Sequence, residues 1–270
     1  MSHHIIEARD LSYTYPDGTP GLNNVSFRIT HGESVALVGA NGAGKSTLLL
    51  HLNGCLLPSN GTIVVGGIQL SRDTLRAVRR SVGMVFQNAD DQLFMPTVFE
   101  DVAFGLRNLG VNELDLERRV MEALKTVGAE HLAGRPPYKL SYGEKRLSAI
   151  ATVLVMSPDI LVMDEPSSSL DPRARARLIG LLKTFQHTKI IATHDLDLAL
   201  DLCERTIVIH RGRVTADGAT GEIFNNTALL HECGLEIPLR MQKCPEPLKP
   251  KSANTTADHG HPHPGSTRHE

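Results

Sequence analysis

The stretch Gly39-Ala-Asn-Gly-Ala-Gly-Lys45-Ser46-Thr47 constrains the fold of this chain more than any other. A short apolar run, Ser34 to Val38, precedes it, and Leu48-Leu-Leu-His-Leu52 follows without a breaker until Gly54. The pattern predicts a buried strand, a glycine loop and a helix beginning at Lys45. The spacing G-x-x-x-x-G-K-S/T lets the backbone fold tightly enough for successive N–H groups to point at phosphate oxygens. The helix adds the positive end of its dipole, Lys45 supplies charge to the outer phosphates, and Ser46 offers a hydroxyl for magnesium. Gly39, Asn41, Gly42, Gly44 and Thr47 complete the expected nucleotide-binding set. The motif speaks for nucleotide binding and says little about how the nucleotide is used.

Ile160-Leu-Val-Met-Asp164-Glu165-Pro166 gives that loop a partner. An apolar strand ending at Asp164 would bring its carboxylate beside the phosphate loop, where it would hold magnesium through water. Glu165 would polarise the attacking water, by geometry rather than by a large pKa shift. Alone, such a run is commonly a strand end with a solvated acidic turn, and the upstream loop is what gives it a task.

The rest of the chain reads as alternating strands and helices. Ile6 and Ala8, then Val25, Phe27 and Ile29, predict antiparallel strands around Tyr15-Pro16-Asp17-Gly18. From Gln87 to about Met156 the character turns helical: Leu116, Val120, Leu124 and Val127 recur at helical spacing, and a further helix is expected from Gly143 to Met156. Strands return at Ile160–Met163, Lys189–Ala192 and Thr206–His210. The expected class is α/β: a mostly parallel sheet of the P-loop NTPase (RecA-like) kind, with antiparallel N-terminal strands and an inserted helical subdomain.

Composition excludes some classes. With 270 residues and 41% apolar content, the chain can bury a full core. A net charge of -2 and the lack of tryptophan disfavour a nucleic-acid binder working through a basic face or stacking platforms. The four cysteines are scattered, without a C-x-x-C pair, and are expected to be reduced thiols. The first residues read as no secretory leader, and no apolar run approaches the roughly 20 residues a membrane span needs. The expected location is therefore cytosolic, with membrane attachment through a partner.

Leu140-Ser141-Tyr142-Gly143-Glu144 narrows the field. The chain resembles the ATPase subunit of ATP-binding-cassette (ABC) transporters from about Ile5 to Pro238, and this stretch sits where that family carries its LSGGQ signature. Gln87 matches the Q-loop glutamine, Ser169-Leu170-Asp171 the D-loop, and His194 the switch histidine. Tyr15 falls where the family stacks an aromatic ring on adenine. The resemblance implies ATP and Mg2+ as cofactors. It puts Glu165, His194 and Gln87 in the catalytic set and Ser46, Gln87 and Asp164 around magnesium. Ser141 and the Gly143 backbone would form a second anion cradle at a helix start. One triphosphate needs no second cradle within one chain, so two cassettes arranged head to tail, identical or related, are expected. His194 would then reach the γ-phosphate and Asp171 would report across the interface. Tyr142 and Glu144 depart from the family pattern, where glycine and glutamine are usual; Ser141 and Gly143 are kept.

The resemblance implies an ABC ATPase domain over 1–240. Its core covers about 1–87 and 157–222, the helical subdomain about 88–156 and a C-terminal extension 223–240. Residues 241–270, rich in Pro, Ser, Thr, Lys and His, are expected to form a disordered tail. Phe86-Gln87-Asn88-Ala89-Asp90-Asp91-Gln92-Leu93-Phe94 and Pro96 to Gly105 are similar to the region after the Q-loop in energy-coupling-factor transporters, especially the cobalt and nickel type (CbiO or NikO). There this face receives a coupling helix from a transmembrane subunit, and a membrane subunit supplies substrate specificity. The tail histidines His259, His261, His263 and His269 are borderline ligands that suit nickel, cobalt or zinc but impose no geometry. The implied function is ATP-driven import of cobalt or nickel from the cytoplasmic face of the membrane. The alternatives are a vitamin-type energy-coupling-factor module, a soluble cassette of DNA repair or translation, and a non-hydrolysing regulatory cassette. The last is disfavoured by the presence of both Glu165 and His194.

Overall fold

The computed structural model describes residues 4–242. β1 (His4–Thr14) and β2 (Pro20–Thr30) pair antiparallel, Ala8 opposite Phe27, with Gly18 N donating to the Tyr15 carbonyl in the turn. β3 (Ser34–Val38) feeds the glycine loop and α1 (Lys45–Leu52), followed by β4 (Asn60–Val65), β5 (Ile68–Gln69), α2 (Leu75–Ser81) and β6 (Val82–Val85). Three helices come next, α3 (Val98–Asn108), α4 (Glu113–Val127) and α5 (Tyr142–Leu154), packed on one another. The chain continues through β7 (Ile160–Asp164), α6 (Pro172–Thr184), β8 (Thr188–Ala192) and α7 (Leu196–Leu202). It then forms β9 (Arg205–His210), β10 (Arg213–Ala219), α8 (Thr220–Asn225) and α9 (Thr227–Glu232).

Two separate sheets result. One is antiparallel in the order β2-β1-β4-β5; the other runs β10-β9-β3-β8-β7-β6, parallel except for the β9–β10 hairpin. β7 and β8 are buried throughout, as expected of strands covered on both faces. Alternate residues serve two cores: Leu161 and Met163 join the helical side with Leu124, Ile150 and Phe224, whereas Ile160 and Val162 face Leu11, Phe27 and Leu49. Because β3, β6, β7 and β8 are parallel, their carboxyl ends share one edge. The residues following them, Gly39, Gln87, Glu165 and His194, are thereby brought to that one edge, where they line two adjoining cavities.

Some boundaries differ from the sequence reading. β8 and β9 start at Thr188 and Arg205, because these residues still pair in register with Ile160 and Val35. α5 begins at Tyr142, where Ser141 caps it, and ends at Leu154, before Ser157 turns left-handed at φ 51°. Met241 belongs to a short 3-10 turn, Leu239–Met241, so the described chain continues past the expected start of the tail. The tail histidines lie outside the described residues.

Cys55, Cys203 and Cys233 are free thiols. Burial pushes the Cys203 thiol up to about 12, with Lys189 only partly opposing it, so it stays protonated and inert near neutrality. Maleimide treatment of the native protein at about pH 7–8, followed by peptide mass spectrometry, is expected to label exposed Cys55 while sparing Cys203 until denaturant is added. Fast native labelling of Cys203 would contradict this packing.

Candidate active site

Close packing dictates the glycine loop. A Cβ on Gly39 would collide with the Ile209 carbonyl, so the loop can pass β9 only without a side chain there. Gly44 turns the chain at φ 110°, and a Cβ there would lie 2.8 Å from the Gly21 carbonyl. The Lys45 ammonium arches back over the loop, donating to the Gly39 carbonyl at 2.7 Å and the Ala40 carbonyl at 3.2 Å. Burial lowers the Lys45 pKa, and Glu165 and Asp164 partly restore it.

A cleft of about 480 Å³ opens over this loop. It brings together Tyr15, Asn41, Gly42, Gly44, Lys45, Ser46, Thr47, Gln87, Asp164 and Glu165. The Tyr15 hydroxyl lies 2.8 Å from Thr47 Oγ1, which fixes the ring at the cleft wall. Gly39 and His194 line an adjoining cavity with Asn41 and Glu236. Ser141, Gly143 and Asp171 are not among the residues lining the cleft. Ser141 caps α5 and Asp171 caps α6, accepting from the backbone N–H of Arg173 at 2.8 Å and Ala174 at 3.0 Å.

The two carboxylates at the end of β7 are held differently. Asp164 is buried, and desolvation raises its pKa against the opposing hydrogen bond from Ser46. Its Oδ1 has no hydrogen-bond partner, although buried oxygens are almost always satisfied. With the Ser46 hydroxyl and the Gln87 amide, it forms an all-oxygen donor set that fits a hard divalent cation such as magnesium. Glu165 sits at φ 47°, a conformation costing about 1–3 kcal/mol for a non-glycine residue and typical of functional positions. Its carboxylate accepts from the Thr193 hydroxyl at 3.1 Å and from His194 N–H at 3.0 and 3.2 Å, and His194 Nδ1 lies 2.9 Å from Oε1. The segment directly after β8 thus aims the carboxylate.

α5 starts with a capping box. The Glu144 carboxylate accepts from the Ser141 N–H and hydroxyl, each at 2.8 Å, and the Glu144 N–H returns to Ser141 Oγ. These bonds lower the Glu144 pKa from its ordinary value. The Tyr142 hydroxyl donates to the Gln87 carbonyl at 3.4 Å and Lys145 pairs with Asp90 at 2.6 Å, so both ends of the helix start reach the loop after β6.

Thr193 and Arg146 were not among the residues expected from sequence. Thr193 is a lone hydroxyl beyond an apolar strand and gives no signal. Arg146 does give one: it is a charge on the same helical stripe as Ala149, Ile150 and Val153, all of them buried. In the structure its guanidinium is fully buried and donates only to main-chain carbonyls.

Comparison with known proteins agrees with this geometry. The ABC transporter family model matches residues 22–168. A Geobacter sulfurreducens protein named as an ABC transporter ATP-binding protein is 64% identical over 245 residues, covering 91% of this chain and 98% of its own. The energy-coupling factor transporter ATP-binding protein EcfA of Methanothermobacter thermautotrophicus is 46% identical, covering 87% of this chain and 77% of its own. Among solved structures, CbiO1 from Clostridium perfringens, part of the ABC transporter complex CbiONQ, shares 40% identity at a TM-score of 0.73. That alignment covers 85% of this chain and 94% of CbiO1. A dimeric ATP-binding cassette bound to ADP and Pi shares 29% identity at a TM-score of 0.74, covering 80% of this chain and 98% of its own. A glycine loop, an acidic strand end and a histidine beside its carboxylate along one sheet edge, in a chain so matched, have one reading: the chain belongs to the ABC transporter family, as one of its ATP-hydrolysing cassettes.

Proposed function

We propose that this chain energises import of cobalt or nickel through an energy-coupling-factor ABC transporter, bound peripherally at the cytoplasmic face of the membrane. The observation carrying its chemistry is the convergence of Lys45, Ser46, Gln87, Asp164 and Glu165 on one cleft. In this reading the glycine-loop N–H groups and Lys45 bind the β- and γ-phosphates, and Tyr15 packs against the base. Magnesium, held by Ser46, Asp164 and Gln87, would neutralise developing phosphate charge. Glu165 takes the proton of the attacking water, its carboxylate oriented by Thr193 and His194. His194 donates to the γ-phosphate. Ser141 and Gly143 serve the ATP of a second cassette, and Asp171 lies at that interface. The division into a core, a helical subdomain over about 88–156 and a C-terminal extension belongs to the same proposal.

Among the described residues no helix is long and apolar enough to cross a membrane, so transport requires membrane partners. Phe94 and Phe104 are 63% and 40% exposed and pack edge to face at 5.0 Å, an apolar pair beside the Gln87 loop that suits a transmembrane coupling subunit. Buried Asp101 braces this pair, accepting from the Phe94 and Met95 N–H groups at 2.9 and 3.0 Å. The likeness to CbiO1 over most of the chain supports a metal cargo. The likeness to EcfA proteins supports the second reading, a general coupling module serving a vitamin-binding subunit.

The deciding experiment purifies the chain with its membrane partners and reconstitutes them in vesicles. ATP-dependent uptake of cobalt or nickel is expected. Uptake of neither metal, with a vitamin-binding subunit copurifying, would overturn the metal reading in favour of the second.

A further inference from the structure

Arg146 heads the largest fully buried side chains of the described residues, and its environment is unusual. A buried guanidinium ordinarily needs a carboxylate partner to offset desolvation. Arg146 instead spends its donors on main-chain carbonyls from two loops. On one side it donates to Phe86 and, at 2.9 Å, to Gln87, directly after β6. On the other it donates to Asp164 at 2.5 Å, the last residue of β7, and to Glu165 and, at 3.3 Å, Pro166, directly after it. Only a planar fork with five N–H groups can serve both loops from one position. One of these carbonyls belongs to Glu165, whose backbone is held at φ 47°. Arg146 itself rides on α5, in the turn that follows the Ser141 cap. A displacement of α5 therefore drags the Gln87 loop and the Glu165 peptide together.

We propose that Arg146 is a positioning residue that keeps the Gln87 loop and the Glu165 turn in register, making turnover at this chain's own ATP depend on the placement of its signature helix. The proposal rests on the reading of Glu165 as the catalytic base. It assigns a residue outside the nucleotide cleft control over kcat without a part in ATP affinity. Tyr142, whose hydroxyl reaches the same Gln87 carbonyl, adds a weaker link on the same side.

Arg146→Lys keeps the charge and most of the length but cannot bridge both loops with one ammonium; Arg146→Gln removes the charge as well. For each, kcat and KM for ATP are measured, together with the affinity and stoichiometry of a fluorescent ATP analogue and the melting temperature. The expected result is kcat lower by about tenfold for Arg146→Lys and about a hundredfold for Arg146→Gln, the scale of small misplacements in an active site. Analogue affinity and stoichiometry should stay within about twofold of the parent, since phosphate binding rests on Lys45 and the glycine loop. Parental kcat per bound nucleotide in either variant would overturn the proposal. So would a loss of rate that only tracks the fraction of protein still binding nucleotide, or failure of both variants to fold, since each marks a purely structural role. Glu165→Gln is run alongside. If it keeps hydrolysing, the reading of Glu165 fails; if it is inactive while Arg146→Lys matches the parent, only the positioning role fails.

Discussion

Glu165→Gln is expected to lower ATP hydrolysis by roughly 10²–10⁴-fold while ATP still binds. The amide keeps the size and shape of the side chain, so the Thr193 and His194 contacts that orient it are largely retained. What disappears is the ability to take a proton from water, which acts in the transition state and not in the ground state. Phosphate-release kinetics alongside equilibrium binding of a labelled nucleotide separate the two. A parallel loss of affinity would mean that Glu165 serves binding, and undiminished turnover would remove it from the catalytic set.

Lys45→Ala and Ser141→Arg are each expected to abolish hydrolysis, and an equal mixture of the two variants to recover about a quarter of parental activity. The reason is geometric. Lys45 lies in the cleft and Ser141 lies outside it, at the head of α5, so the proposed head-to-tail pair, formed by two copies of this chain, would divide each complete site between them. A mixed dimer then holds one site in which both variants contribute their intact half. Half of randomly assembled dimers are mixed, and each keeps one of its two sites. The measurement is ATPase activity against mixing ratio after co-refolding or co-expression, and a mixture as inactive as its components would rule out shared sites.

The site was legible in sequence for a physical reason. A central parallel strand must be apolar on both faces, so Val35–Val38 of β3 and Ile160–Met163 of β7 stand out as apolar runs, with a shorter one at Ile190–Ala192 of β8, and the residues after them lie at the one edge where ligands bind. Asp164 and Glu165 are thereby set beside the Lys45 loop from the residues alone, whereas His194 is picked out only by the resemblance to ABC cassettes. Long-range pairing is invisible to periodicity, so the partition into two sheets and the docking of β4 on β1 emerged only in the structure. Thr193 escaped because one hydroxyl beyond a strand has no pattern. Arg146 was hidden differently: a charge on an apolar helical stripe marks a buried partner, but the partners are main-chain carbonyls, which no side-chain motif records.

The left-handed turn at Glu165 has a consequence for how this protein can change. Glycine or asparagine would adopt that backbone more readily, and a search for thermostable variants should favour both at this position. Neither can act as a base for water. At this one residue heat resistance and turnover select in opposite directions, so a lineage or a library pressed toward stability alone would drift toward cassettes that grip ATP and never spend it.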